Sequence, residues 1–310
     1  MRTLVAVAAA ALAGSVSGPA AADGFFLSAG LEADDESGQL VHASVGGDLS
    51  ERTSWDFAAA SSDTSADRSG LGSTSYHGAV RYDFGPVGLR VGLGGWEDEG
   101  LSSVQQWRAA LDFGGDPWRF VLEAQGTARD FDPFDVDRTI IRHDGSEVDV
   151  NARADCAVDA PGLGARLGWF GDPWGFEISA MSYDYDDPTC DFDLPLLDLL
   201  RRTTREEFVQ LADAIAGRLA LGIGSNLLAE TSPLDSRVGL EASYFGAVRS
   251  YHVYLDHFED AFIGTSADSL SAGIAFVLAS GNEIELYAGA TDGDDTGTIA
   301  FLGFVAFFGF

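Results

Sequence analysis

Lysine is missing altogether: all 18 basic residues of this 310-residue chain are arginine, against 49 aspartates and glutamates, for a net charge of −31. A chain so acidic repels a phosphate backbone, which excludes nucleic acid as a partner. Cysteine is nearly absent too. The two present, Cys156 and Cys190, have neither the number nor the spacing of a metal site, and in an oxidising compartment they allow a single disulfide. After the N-terminal segment no window holds 18 uninterrupted apolar residues, so helical membrane spans are excluded. There is no G-x-S-x-G elbow and no H-E-x-x-H, which removes the commonest hydrolase signatures.

The N-terminus carries the first positive signal. Arg2 precedes an Ala-rich apolar run from Leu4 to Leu12, and small residues follow as far as Ala20-Ala21-Ala22. A charged start, a short apolar centre and an A-x-A-like end make a cleavable secretory signal. A centre of about nine residues is too short to cross a bilayer as a helix. The expected organisation is a signal peptide over 1–22 and one folded domain over 23–310.

From Asp23 onward the chain breaks into short segments of alternating polarity with turn residues between them. Tyr76, Val80, Tyr82 and Phe84 alternate with His77, Arg81 and Asp83. Trp107, Ala109, Leu111 and Phe113 alternate with Gln106, Arg108 and Asp112. Across Gly114-Gly115-Asp116-Pro117 come Trp118, Phe120, Leu122 and Ala124, set against Arg119, Glu123, Gln125 and Arg129. A second Gly-Asp-Pro turn joins Leu163, Ala165, Leu167 and Trp169 to Trp174, Phe176, Ile178 and Ala180. Period-two alternation of this kind places one face in an apolar medium and the other in a polar one. Fourteen such segments are counted, and 12 or 16 would follow if one weak segment is misread. Every second connection is short: Ser50 to Thr53, Gly85-Pro86, the two Gly-Asp-Pro turns, Ala247 to Ser250 and Ala279 to Asn282.

The last segment, Thr298 to Phe310, is the most marked. Phe310, Phe308, Ala306, Phe304, Leu302 and Ala300 form an unbroken apolar row at every second position. A terminal Phe behind such a row resembles the closing strand of Gram-negative outer-membrane β-barrels. The resemblance implies that Phe310, Phe308 and Phe304 form the signal read by the barrel assembly machinery. It implies an all-β fold for 23–310, a transmembrane antiparallel up-and-down barrel of even strand number. It also implies a Gram-negative outer-membrane location, with membrane lipid and lipopolysaccharide as surroundings. Only a closed barrel lets strands cross a bilayer with every backbone group satisfied.

Two connections are long. Asp130 to Pro161 holds a hairpin signal of its own, with Thr139-Ile140-Ile141 and Val148-Asp149-Val150 flanking Asp144-Gly145. Folding the hairpin of the eighth and ninth segments about Asp172 sets residue 156 opposite roughly 188, which brings Cys156 and Cys190 within disulfide reach. Asp186 to Asp235 holds the one expected helix, in an external loop. Thr204 and Glu207 form a capping box, and Phe208, Leu211, Ile215 and Leu219 mark one face. Such a loop either folds into the mouth as a lid or packs on the rim.

The interior-facing charges sort by sign. Arg81, Arg90, Arg108, Arg119, Arg129 and Arg166 make a basic wall. Asp48, Asp56, Glu177, Glu241, Asp256 and Glu285, with Glu32 and Glu283, make an acidic one. Opposed walls would set a field across a water-filled lumen, which resembles the constriction of general porins and tunes selectivity. The other reading is local pairing, such as Arg81 with Asp83 or Arg119 with Glu123.

The function expected is a passive, porin-like channel for small hydrophilic solutes that needs no cofactor. The alternatives are a plugged structural or binding barrel and an outer-membrane lipid hydrolase. No local Ser-His motif of the outer-membrane phospholipase or lipid A deacylase kind is present, though His42 and His77 point inward with Ser62 placed between them. Acidic loop residues form a further candidate. Asp184, Asp186, Asp187, Asp191 and Asp193 share one loop, and Asp292, Asp294 and Asp295 another. Their hard oxygens suit Ca²⁺ or Mg²⁺, but no EF-hand spacing is present and solvated acid is the simpler reading.

Overall fold

The computed structural model describes residues 24–35, 38–63, 72–98, 102–141, 147–186, 189–192, 234–261, 266–278, 280–294 and 297–310. All of its regular structure is strand. In chain order the strands are Phe25–Asp34 (β1), Gln39–Ser50 (β2), Thr53–Asp63 (β3), Gly72–Asp83 (β4), Val87–Asp98 (β5) and Ser102–Gly115 (β6). Trp118–Ile141 (β7), Glu147–Phe170 (β8), Trp174–Tyr183 (β9) and Thr189–Phe192 (β10) follow. Leu234–Phe245 (β11), Arg249–Asp260 (β12), Ser266–Val277 (β13), Glu283–Gly293 (β14) and Gly297–Gly309 (β15) complete the set.

Each strand pairs antiparallel with its neighbours, and β1 pairs with β15 from Phe26↔Gly309 to Asp34↔Phe301. With β8 on β9 and β9 on β11, the sheet closes into a barrel of 14 strands. Closure removes both edges of the sheet through the barrel wall. β10 stands outside this count as a short addition to β8, beyond the end of β9. The expected helix at Thr204 to Leu219 and the expected signal peptide over 1–22 lie outside the described residues.

The alternation read from the sequence sets the two faces. Leu93, Leu163 and Leu302 are 68%, 72% and 65% exposed, while the residues between them face inward. At the short-turn end the outward residues are aromatic. Trp174 packs edge-on to Tyr244 with centroids 5.0 Å apart, and Tyr82 to Phe84 at 4.6 Å. An apolar belt edged by aromatics is the exterior of a barrel whose solvent is lipid. The turns at this end follow the expected residues, and Gly85 takes φ +96°, a conformation open to glycine. Both strand termini meet here: the Phe310 amide donates to the Phe25 carbonyl at 2.9 Å, and their rings lie 5.9 Å apart.

Interior packing is uneven. Phe258 is almost fully buried against Leu234, Ala267 and Tyr183. On the closing strand Ile299, Phe301 and Val305 are buried inward, so its interleaved apolar residues cover the inner wall.

At the other end one expectation holds and one is corrected. Thr139, Ile140 and Ile141 pair with Asp149, Val148 and Glu147, as the hairpin signal requires. Residues 130–141 and 147–161 are the outer halves of two continuous 24-residue strands, β7 and β8, paired from Trp118↔Trp169 to Ile141↔Glu147 with one irregularity between Phe131 and Phe134. Such a strand is about 80 Å long, far more than a tilted crossing of a ~30 Å hydrocarbon core requires. The pair therefore rises well past β6, whose last partner is Phe131. The correction concerns the cysteine register. Cys156 faces Cys190, not residue 188. β9 runs Gly162↔Tyr183 to Phe170↔Gly175, and β10 resumes one residue out of that register. Asp184 and Asp186 amides carry the ladder across the gap, donating to the Pro161 and Asp159 carbonyls. One extra residue between β9 and β10, a bulge in effect, brings the Cys190 backbone into register with Cys156.

Candidate functional site

The interior collects most of the charge on the described strands, because the outward positions of the belt are committed to apolar side chains. Two of its cavities are lined by many of these charges. One, of about 390 Å³, is lined by Arg90, Arg108, Arg166, Arg237, Glu123, Glu177, Glu241 and Asp256, among others. The second, of about 510 Å³, is lined by β1 to β6 and includes Glu32, His42, Ser62 and His77. His77 and Arg108 border both.

Most of the charges find partners nearby. Arg81 Nε donates to Asp83 at 2.9 Å, the pairing anticipated from sequence, and its Nη1 donates to Asp112 at 2.7 Å. Arg119 Nη2 donates to the same Asp112 at 2.6 Å. The expected pairing of Arg119 with Glu123 is therefore not the one formed, and Glu123 instead accepts from Arg166 at 3.4 Å. Arg90 Nη2 donates to both Asp56 oxygens at 2.9 Å, and Arg237 Nε donates to Asp256 at 3.1 Å. Arg129 is buried, its guanidinium 4.8 Å from the Trp96 ring centre and 5.8 Å from that of Phe131. A cation over an aromatic face gains a favourable contact.

Small residues on the inner wall make these contacts possible. A Cβ on Gly88 would meet the Arg81 guanidinium, so glycine leaves β5 low enough for Arg81 to pass over it to β6. Gly273 stands directly across from His252, and a Cβ there would strike the imidazole. The ring therefore lies along the wall, with Nε2 2.8 Å from Glu285 Oε1. Glu32, on the same inner wall, accepts from the Tyr287 hydroxyl at 3.0 Å.

The two walls of the sequence reading are thus mixed at close range. Asp112 and Glu123 sit within the basic side, and Arg237 within the acidic side. Alternation places all three inward, but Arg237 precedes the first clear apolar residue of its strand, Val238, and so escapes a count of strand positions. Asp48 is exposed at the short-turn end, near Gly24. Glu177 and Glu241 face each other across β9 and β11, and Glu241 accepts from Ser243 at 2.7 Å.

The hydrolase candidates share one cavity but not the expected arrangement. Ser62 does not lie between His42 and His77. It stands two residues beyond Ala60, the partner of His42, and four beyond Ala58, the partner of His77. Its hydroxyl is hydrogen-bonded to Ser73 at 2.5 Å.

The acidic loop residues act as clips. The Asp294 carboxylate accepts from the Ser266 amide at 2.9 Å and from its hydroxyl at 3.1 Å, joining the β13 and β14 ends. Those bonds hold its carboxyl below the ordinary aspartate value. Asp292 accepts from Thr298 at 2.7 Å. Asp295 lies outside the described residues, and among the described residues no group of three or more His, Cys, Asp or Glu gathers around a common point.

No family model matches this sequence, and no curated protein matches it. Solved structures of similar shape are outer-membrane barrels. CdiB from Acinetobacter baumannii aligns over 92% of this chain with 10% identity and a TM-score of 0.47, and this chain spans 60% of CdiB's length. OmpT, an outer membrane protein of Vibrio cholerae, aligns over 94% of this chain and 99% of its own with 8% identity and a TM-score of 0.43. OpdK of Pseudomonas aeruginosa, solved with vanillate, aligns over 93% and 97% with 8% identity and a TM-score of 0.40.

Proposed function

We propose that this protein is a passive channel of the Gram-negative outer membrane, admitting small hydrophilic solutes through a charged interior. One observation carries the reading: the barrel is two-sided. Its outward face is an uninterrupted apolar belt, with Leu240 47% and Leu302 65% exposed. Its inward face is hollow and lined with arginines and carboxylates, around cavities of about 390 and 510 Å³. A lipid-soluble wall around a wet, charged interior is what carries polar solutes down a gradient without a cofactor. Rings pressed flat on inward glycines, as His252 is on Gly273, keep those side chains against the wall.

The rest of the reading follows from the same barrel. Membrane lipid and lipopolysaccharide surround the belt, and the signal peptide at 1–22 directs export. The barrel assembly machinery reads Phe310, Phe308 and Phe304, whose positions on the closing strand suit a signal presented before closure. Cys156 and Cys190, facing each other across β8 and β10, form a disulfide that ties the projecting strands together. Any Ca²⁺ or Mg²⁺ sits at the acidic external loops, outside the path of the solute.

The test is conductance. Reconstituted into a planar bilayer, the folded protein should give discrete current steps whose size rises with salt concentration. A folded, inserted barrel that passes no current would overturn the channel in favour of a plugged barrel.

A further inference from the structure

Pairing leaves a remainder. Of the four arginines on the 390 Å³ cavity, Arg90, Arg166 and Arg237 each hold a carboxylate. Among the described residues Arg108 is within ion-pair distance of no carboxylate, although it borders this cavity, its larger neighbour and a smaller one toward the outer mouth. Of the four carboxylates on the same cavity, Glu123 and Asp256 are taken by arginine. Glu177 and Glu241 are not. They face each other directly on β9 and β11, and Tyr254 and Ser243 hydrogen-bond Glu241 in place of a cation. Like charges directly opposed across two strands destabilise a sheet until a cation separates them.

The three unmatched charges line one cavity. Along the ladder, Arg108 is in register with Gln125, Gly162 and Tyr183, and Glu177 lies six residues from Tyr183 on β9. Strand tilt in a closed barrel shifts each row along the axis from one strand to the next. That shift brings Arg108 and Glu177 onto one cavity, where they stand with β7 and β8 between their strands. The guanidinium offers a fork of donors for a carboxylate. The two glutamates offer acceptors for an ammonium group, whose charge relieves their repulsion.

We propose that this cavity selects zwitterionic solutes of the amino-acid type, the ammonium at Glu177 and Glu241 and the carboxylate at Arg108. This rests on the channel reading. It goes beyond that reading by naming a solute class and the three side chains that choose it. A solute with one charge meets either the arginine or the glutamates and is repelled by the other, whereas a zwitterion satisfies both.

The experiment is swelling of phosphatidylcholine vesicles carrying the full barrel, with four solutes of similar size. These are L-alanine (zwitterion), lactate (anion), 1-amino-2-propanol (cation) and glycerol (neutral). Alanine should enter faster than either singly charged solute, relative to glycerol, by about threefold, the scale of a partly screened charge contact. In Arg108→Gln the order should change so that 1-amino-2-propanol overtakes alanine. In the Glu177→Gln/Glu241→Gln pair, lactate should overtake it. Glu241→Gln alone, a milder change, should move the ratio the same way and serves if the pair does not insert. Swelling in which wild type and inserted variants rank the solutes alike overturns the inference and leaves the channel standing. Failure of wild-type barrels to admit any of the four overturns both.

Discussion

Arg81 reaches Asp112 across an intervening strand, its Nη1 donating to Oδ2 at 2.7 Å while β5 passes beneath at Gly88. Asp112 also accepts from Arg119, so one carboxylate, 12% exposed in its side chain, joins β4, β6 and β7 on the inner wall. Replacing Asp112 with Asn weakens two charge-assisted bonds at once. We expect a loss of about 1–2 kcal/mol in urea unfolding from vesicles, discounted for the partly exposed guanidiniums. A double-mutant cycle with Arg81→Met should return a coupling of about 1 kcal/mol. Gly88→Val should erase most of that coupling without touching either partner, because its side chain occupies the crossing point.

The two faces of β11 give a second test. Leu240 is outward and near the middle of its strand, and Glu241, the next residue, is inward. Leu240→Arg places a cation in hydrocarbon and should cost about 2–4 kcal/mol. The readout is the fraction of protein that becomes resistant to unfolding on a cold denaturing gel after mixing with vesicles. Glu241→Arg meets Glu177 in a wet interior and should fold at least as well as the wild type. Equal damage from both substitutions would mean that the outward face does not meet lipid.

That contrast also explains how far the sequence could be read. The outward face was legible because lipid demands an apolar residue at every second position, and Trp107, Ala109, Leu111 and Phe113 meet that demand without reference to any neighbour. Partners across the interior were not legible, because they depend on register and tilt. Arg119 and Glu123 share a face, but four residues of strand separate them by about 13 Å. Asp112 is nearer because β6 is the adjacent strand. The cysteines were legible as a pair and not in register, since a single extra residue between β9 and β10 carries no residue-type signature. The unmatched state of Arg108 was hidden for the same reason: it appears only after every other pairing is known.

Cys156 is 1% exposed and faces Cys190, from which the proposed disulfide follows. Protein denatured without reductant should then leave no thiol for a maleimide label, and protein reduced beforehand should take two. Closing a loop of this length restricts the unfolded chain by up to about 4 kcal/mol. The Cys156→Ser/Cys190→Ser variant should therefore unfold at lower urea. Its conductance steps should keep their size, because the pair lies well beyond the 390 Å³ cavity on the ladder. Two labelled thiols without reduction would remove the disulfide.

The clip between Asp294 and Ser266 makes the β13–β14 loop end sensitive to acid. Two hydrogen bonds to the ionised carboxylate hold the folded carboxyl below its unfolded value. Its stabilising effect is then complete above the ordinary aspartate range and is lost as the pH falls through the folded value. The β13–β14 loop end should accordingly loosen only in acid. Exchange of the Ser266 amide, corrected for its intrinsic rate, should stay slow at neutral pH and quicken below about pH 4, near the unperturbed aspartate value. In Asp294→Asn the charge is gone at every pH, so protection should be weaker throughout and its acid step should vanish. An acid step that survives in the asparagine variant would belong to another carboxylate, and the clip would then be a bystander.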